Sequence, residues 1–193
     1  MGSVLGHLKP ELVWYHFEEI CKYPRASKKE EKIAEYVVSV GKRLGLQVEK
    51  DKFGNIVIRK PATPGYENRK AVVLQGHIDM VCEKNRDVEH DFDNDPIYPY
   101  IDGDWVKAKG TTLGADNGIG VACALAVLES KDIEHGPLEC LFTLDEETGL
   151  TGASSLKKNW LKADILINMD SEDLGTIFIG CSGGKNTSAT FKA

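Results

Sequence analysis

Paired thiols are the first thing this sequence lacks. Its five cysteines, Cys21, Cys82, Cys123, Cys140 and Cys181, are odd in number, far apart and without a C-x-x-C. That spacing excludes a disulfide framework and a thiolate-held structural zinc, so most of the cysteines read as small core residues. There is no stripe of Lys and Arg with interleaved aromatics, and the net charge is −6. Nucleic acid and anionic membrane surfaces are therefore excluded as main partners. No apolar run approaches the roughly 20 residues that cross a bilayer. The opening Met1 to His7 has neither a basic region ahead of an apolar core nor the Ser or Thr of a myristoylation start, so the expected location is cytoplasmic. Internal repeats and low-complexity segments are also missing.

What is present is an ordinary globular composition, 41% hydrophobic and 28% charged over 193 residues. This suffices for one domain with a self-sufficient core. A helix is expected from Pro10-Glu11 to about Tyr23. A second follows a capping box at Ser27-Lys28-Lys29-Glu30, with Ile33, Val37, Val40 and Leu44 at helical spacing and Gly45 as the stop. Residues 46–51 and 55–59 read as a hairpin around Lys52-Phe53-Gly54. Residues 71–77 read as a buried strand, followed by a long polar stretch, 83–104, without regular structure. Further strands are expected at 105–108, 138–144, 165–169 and 176–180, and helices at 119–128 and 154–160. Alternating strands and helices predict an α/β fold, a three-layer sandwich on a mixed, largely parallel central sheet.

Candidate chemistry collects at the ends of these strands. The strand at 71–77 ends at Gly76-His77-Ile78-Asp79. Side chains alternate along a strand, so His77 and Asp79 share a face at its carboxyl end, where open α/β sheets place ligands. Asp116 sits in the glycine-rich run Gly114 to Gly120, between a strand and a helix; taken alone, that run is a tight turn with an N-cap Asp or Asn. It matches neither G-x-G-x-x-G nor a Walker motif. Glu146-Glu147 ends another strand, and Asp170 a further one. Adjacent carboxylates repel unless a cation or separate roles relieve them. One of the two can then ligate a metal while the other stays free as a base. Each piece also has a plain reading as a solvated turn; their joint occurrence does not.

Imidazole with several carboxylates and no thiolate suits a catalytic site for zinc, or for cobalt or manganese in its place. Two divalent ions would balance the charges of Asp116, Glu146, Glu147 and Asp170 and could polarise a carbonyl oxygen.

Four runs carry a resemblance: residues 74–81, residues 107–120, Asp145-Glu146-Glu147-Thr148-Gly149, and Asn168-Met169-Asp170-Ser171-Glu172. Through them nearly the whole chain resembles the amino-terminal part of the M20 metallopeptidases, in particular the branch of aminoacyl-histidine (Xaa-His) dipeptidases. The resemblance implies a zinc-exopeptidase-like catalytic domain and hydrolysis of a small dipeptide such as carnosine with two divalent ions. His77 and Asp170 would ligate one ion, Asp116 would bridge both, and Glu147 would ligate the other. Asp79 would orient His77, and Glu146 would be the general base. It also implies a cis bond between Asp116 and Asn117. Residues 1–181 would be the first part of the catalytic domain and 182–193 the start of a segment leading to a lid domain. Full-length relatives are expected to be homodimers, and their later segment to supply a histidine to the metal held by Glu147. His7, His16, His90 and His135 match no ligand and read as surface or structural. Two other readings stay open: a non-catalytic metal-binding module, and another M20 aminopeptidase or amide deacylase.

Overall fold

The computed structural model describes residues 3–171, 173, 175–181, 183 and 187–191. Helix α1 (Glu11–Ile20) starts behind a cis Lys9–Pro10 bond. It buries His16, Phe17 and Ile20. Helix α2 (Glu31–Arg43) buries Ile33, Val37 and Val40 on one stripe. Its end is closed as expected by Gly45 at φ +68. Leu46 N–H bonds back to Gly41 O and Gly45 N–H to Lys42 O, the pairing that satisfies the last carbonyls of a helix. The predicted capping box does not form. Ser27 gives its hydroxyl to Asp79 instead, and Glu30 accepts from the Lys28 and Asp145 backbone.

Strands β1 (Gln47–Lys50) and β2 (Ile56–Lys60) make the expected antiparallel hairpin. In its turn the Asp51 carboxylate accepts from the N–H groups of Phe53, Gly54 and Asn55. Strand β3 (Val72–His77) lies inside the main sheet, with a neighbour on each side. The stretch 83–104 is not without regular structure, as its end forms β4 (Pro99–Asp102), paired with β5 (Trp105–Ala108) in a separate two-stranded sheet. Helix α3 (Ala115–Glu129) begins earlier than 119, because a kink with non-helical Asp116 and Asn117 is joined to it. Strand β6 (Leu138–Thr143), a short α4 (Thr151–Ser154) and β7 (Ile165–Asn168) complete the order.

Two sequence expectations fail beyond β6. The helix expected at 154–160 is only the single turn α4, because the following residues are pinned individually. Asn159 takes φ +65, Trp160 Nε1 donates to Glu49, and Arg59 donates to the Trp160 carbonyl. Residues 176–180 form no strand: Ile177, Phe178 and Ile179 are exposed, with no described sheet edge holding them.

The main sheet has the order β1-β2-β6-β3-β7, with β6, β3 and β7 mutually parallel and β2 antiparallel to both its neighbours. Four strands thus run one way and β2 alone opposes them, so the sheet is mixed and largely parallel. Its two faces follow from alternation. Ile56, Ile58, Cys140 and Phe142 face the helices and join Phe17, Ile33, Val37 and Leu125 in the main core. Val57, Val73 and Leu141 face the other way, under Leu156, Trp160 and Leu161. Among the described residues no helix is long and apolar enough to cross a membrane.

Candidate active site

Register decides what meets at the carboxyl edge of this sheet. Parallel pairing sets His77 opposite Thr143 and Gln75 opposite Asn168. Two residues past Thr143 the chain turns at Asp145, and two residues past Asn168 lies Asp170, level with His77. Helix α3 brings Asp116 to the same edge from in front of the sheet. Gly76 is the residue that permits this approach, because a Cβ there would collide with the Asn117 side-chain oxygen. Asn117 in turn donates to the Met169 carbonyl at 2.7 Å, tying the start of α3 to the end of β7. The Asp116–Asn117 bond is cis, as the resemblance implied.

The imidazole of His77 is 1% exposed at the centre. Its Nδ1 lies 3.2 Å from Asp79 Oδ1. Its Nε2 lies 3.1 Å from Asp116 Oδ1, 3.7 Å from Asp170 Oδ1 and 3.9 Å from Glu146 Oε2. Asp79 is wholly buried and accepts from four donors: His77, Ser27 Oγ (2.7 Å), and the backbone N–H groups of Glu146 (3.1 Å) and Glu147 (3.2 Å). One carboxylate thereby fixes both the ring and the turn that carries the two glutamates. Ahead of that turn Asp145 takes a left-handed φ of +48, held by the Thr148 hydroxyl on its carboxylate and by Glu30 on its N–H.

Six ionisable groups in so small a volume shift one another. Burial alone would lower the His77 pKa, but the nearby carboxylates of Asp170 and Asp79 outweigh it and push it up to about 10. Burial opposes ionisation of Asp79, yet its four donors hold it down at about 2. The Asp170 carboxyl is lowered, chiefly by the His77 imidazole beside it. Glu146 and Glu147 are raised, first by burial and then by neighbouring carboxylates, Asp170 for the former and Asp116 for the latter.

The residues predicted from sequence therefore do converge. Ligand-type atoms of His77, Asp116 and Asp170 lie within 4.8 Å of one another, as do those of His77, Glu146 and Glu147. Glu147 groups with His77 and Glu146, and the two groups share His77. Carboxylates crowded around an imidazole nitrogen suit a hard or borderline divalent cation, which would relieve their repulsion. Sequence reasoning missed Arg25, Ser27, Glu30 and Asn117, whose hydrogen bonds reach the loops that carry these groups. Only Asn117 stood inside a run already singled out; nothing marked the other three beyond the supposed capping box. His16 is buried between Tyr36 and Glu129 and His7 is exposed, in keeping with structural and surface roles.

A layered α/β domain with one imidazole and a ring of carboxylates at its sheet edge has the form of a metal-dependent hydrolase centre. Residues 73–188 match the model of peptidase family M20/M25/M40, and the chain belongs to that family. It is 60% identical over 182 residues to the cytosol non-specific dipeptidase of Escherichia coli K12, covering 94% of this chain and 38% of that protein. The crystal structure of aminoacylhistidine dipeptidase from Vibrio alginolyticus superimposes with a TM-score of 0.87 at 58% identity, over 89% of this chain and 35% of that one. Aminopeptidase PepT from Bacillus cereus aligns with a TM-score of 0.71 at 27% identity, over 84% of this chain and 44% of that one. The chain thus spans well under half the length of these relatives. Membership of this metallopeptidase family implies use of divalent metal, and the donor groups around His77 fit one.

Proposed function

We propose that this chain is the amino-terminal part of the catalytic domain of a cytosolic zinc dipeptidase that cleaves small dipeptides, Xaa-His among them. The observation that carries the reading is the convergence of His77 Nε2 with Asp116, Asp170 and Glu146 within 4 Å. The names of the E. coli and Vibrio relatives support the dipeptide class and the location.

In this reading His77, Asp116 and Asp170 would hold one divalent ion, and Asp116 with Glu147 would hold a second. When bound, these ions supply Lewis-acid polarisation of the scissile carbonyl and make water a better nucleophile. Zinc suits the donor set best, with cobalt or manganese as substitutes. The chain's own residues do the rest. Asp79 accepts from Nδ1–H of His77, which would leave the Nε2 lone pair free for an ion held with Asp116 and Asp170. Glu146 is the general base: it takes a proton from the attacking water and returns it to the departing amine.

Residues 1–181 form the catalytic portion, and 182–193 lead toward a lid domain that completes the substrate pocket and the homodimer. A further histidine from that later part would complete the donors that Asp116 and Glu147 offer. A chain that binds metal without turnover, the module reading, differs in one measurable way. Histidine release from an Xaa-His dipeptide is assayed with zinc, with a chelator, and with Glu146→Gln. Turnover that is chelator-sensitive and lost in the variant supports the dipeptidase. A dipeptidase role for the centre is overturned if turnover survives in Glu146→Gln.

A further inference from the structure

One short segment bonds to three of the loops that carry this site, those after β3 and β6 and the one before α3. Between α1 and α2, residues 25–30 run beneath the centre. Arg25 is 3% exposed. Its Nη1 donates to the carbonyls of Asp79 (2.9 Å) and Ile78 (3.3 Å), and its Nη2 donates to the carbonyl of Gly114. The fork thus spans the exit of β3 and the entry of α3. The Arg25 carbonyl accepts from Met80 N–H at 3.1 Å, and Ala26 pairs with Met80 as an isolated β-bridge. Ser27 follows with its hydroxyl on Asp79, and Glu30 with its carboxylate on the Asp145 N–H at 2.9 Å.

A buried guanidinium is costly, and here its acceptors are neutral carbonyls. An apolar side chain would fill the same volume more cheaply, so the fork must contribute something else. The neighbouring glycines show where the backbone has made room for it. A Cβ on Gly114 would strike Nη2, and one on Gly118 would come within 2.8 Å of it. Gly114 also takes φ +71, which L side chains rarely adopt. What the fork fixes is the distance from residues 78–79 to residue 114, and so the distance from His77 to Asp116.

We infer that Arg25–Glu30 is a positioning strap for the metal centre, in which Arg25 sets the spacing of His77 and Asp116. Ser27 fixes the Asp79 carboxylate, and Glu30 fixes the turn carrying Glu146 and Glu147. The inference rests on the reading of the site as a metal centre, and its test separates the two. Zinc titration calorimetry of the metal-free 193-residue chain, with cobalt absorption as a second readout, compares wild type with Arg25→Lys, Ser27→Ala and Val37→Ala. Arg25→Lys keeps the charge and loses the fork; zinc binding should weaken by about tenfold or more, with an altered cobalt spectrum.

Val37→Ala, a core truncation far from the site, should lower the melting temperature and leave zinc affinity of the folded chain unchanged. A merely structural Arg25 would behave the same way. Ser27→Ala, expected to lose a few-fold in affinity, gives the answer if Arg25→Lys does not fold. Wild-type zinc affinity in Arg25→Lys, or in Ser27→Ala in its place, overturns the strap. If the wild-type chain binds no zinc, the metal-centre reading falls, and hydrogen exchange of residues 115–117 and 145–147 decides on the strap alone. Faster exchange confined to those turns in Arg25→Lys supports it; unchanged exchange overturns it.

Discussion

Replacing Asp79 by Asn changes almost no volume and should still disable the centre. The carboxylate has two oxygens and four donors: Oδ1 takes His77 Nδ1 and Glu146 N–H, and Oδ2 takes Ser27 Oγ and Glu147 N–H. A carboxamide can serve only one of these pairs. If its NH2 faces Ser27, the hydroxyl can rotate to accept, but the Glu147 N–H is stranded at a cost of about 1–3 kcal/mol. If the NH2 faces His77, the ring must accept at Nδ1 and carry its proton on Nε2, the atom that lies 3.1 Å from Asp116. Either orientation spoils the site, by moving the glutamate turn or by turning a ligand into a donor. Loss of such a supporting partner weakens metal binding by about 10–100-fold. At a zinc concentration 100 times the wild-type dissociation constant, the wild type gains about 2.7 kcal/mol, and the variant only about 0.4–1.4 kcal/mol. For a chain of this length the melting temperature should rise by roughly 5–10 °C in wild type and roughly 1–5 °C in Asp79→Asn. Differential scanning fluorimetry with and without zinc reads both. Equal zinc-induced shifts in the two proteins would refute the argument that Asp79 governs His77.

Without a cation the His77 pKa is raised to about 10, above its ordinary 6.5 or so. Its contribution to metal-free stability is therefore complete below about pH 6.5 and is lost as pH rises toward 10. Zinc needs the neutral ring, so binding at pH 7 should release about one proton and tighten with rising pH. Calorimetry in buffers of different ionisation enthalpy checks this, and binding with no proton release would contradict it. Gly76→Ala should destabilise the chain by about 1–3 kcal/mol in urea unfolding, because the new methyl meets the Asn117 side chain; a change below about 0.5 kcal/mol would show that Asn117 moves freely. Ile165, Leu166 and Ile167 of the edge strand β7 are 42%, 55% and 48% exposed, an apolar edge of the kind that associates. Sedimentation should show concentration-dependent association that Leu166→Lys reduces; a chain monomeric throughout would contradict this.

The strands and their ends were legible because periodicity and ligand chemistry are local properties. β3, β6 and β7 read directly from apolar runs, and His77, Asp116, Glu146, Glu147 and Asp170 stood out as polar groups closing them. Parallel register then did what no window of sequence reveals, setting Thr143 and Asn168 level with β3. The capping box at Ser27 failed for a related reason. A hydroxyl and a carboxylate three residues apart fit a helix start locally, but Asp79 and the Asp145 N–H, distant in sequence, compete for them and win. Arg25 gave no signal at all, since one arginine in a polar stretch reads as solvated. The 176–180 run misled because apolar β-branched residues mark a strand only where an edge receives them.

The most direct test of the central claim is an anomalous difference map from crystals of the chain grown with zinc. A peak is expected about 2.0–2.1 Å from His77 Nε2 and within bonding distance of Asp116 and Asp170 carboxylate oxygens. Zinc bound elsewhere, with His77 Nε2 still paired to Asp116, would contradict it.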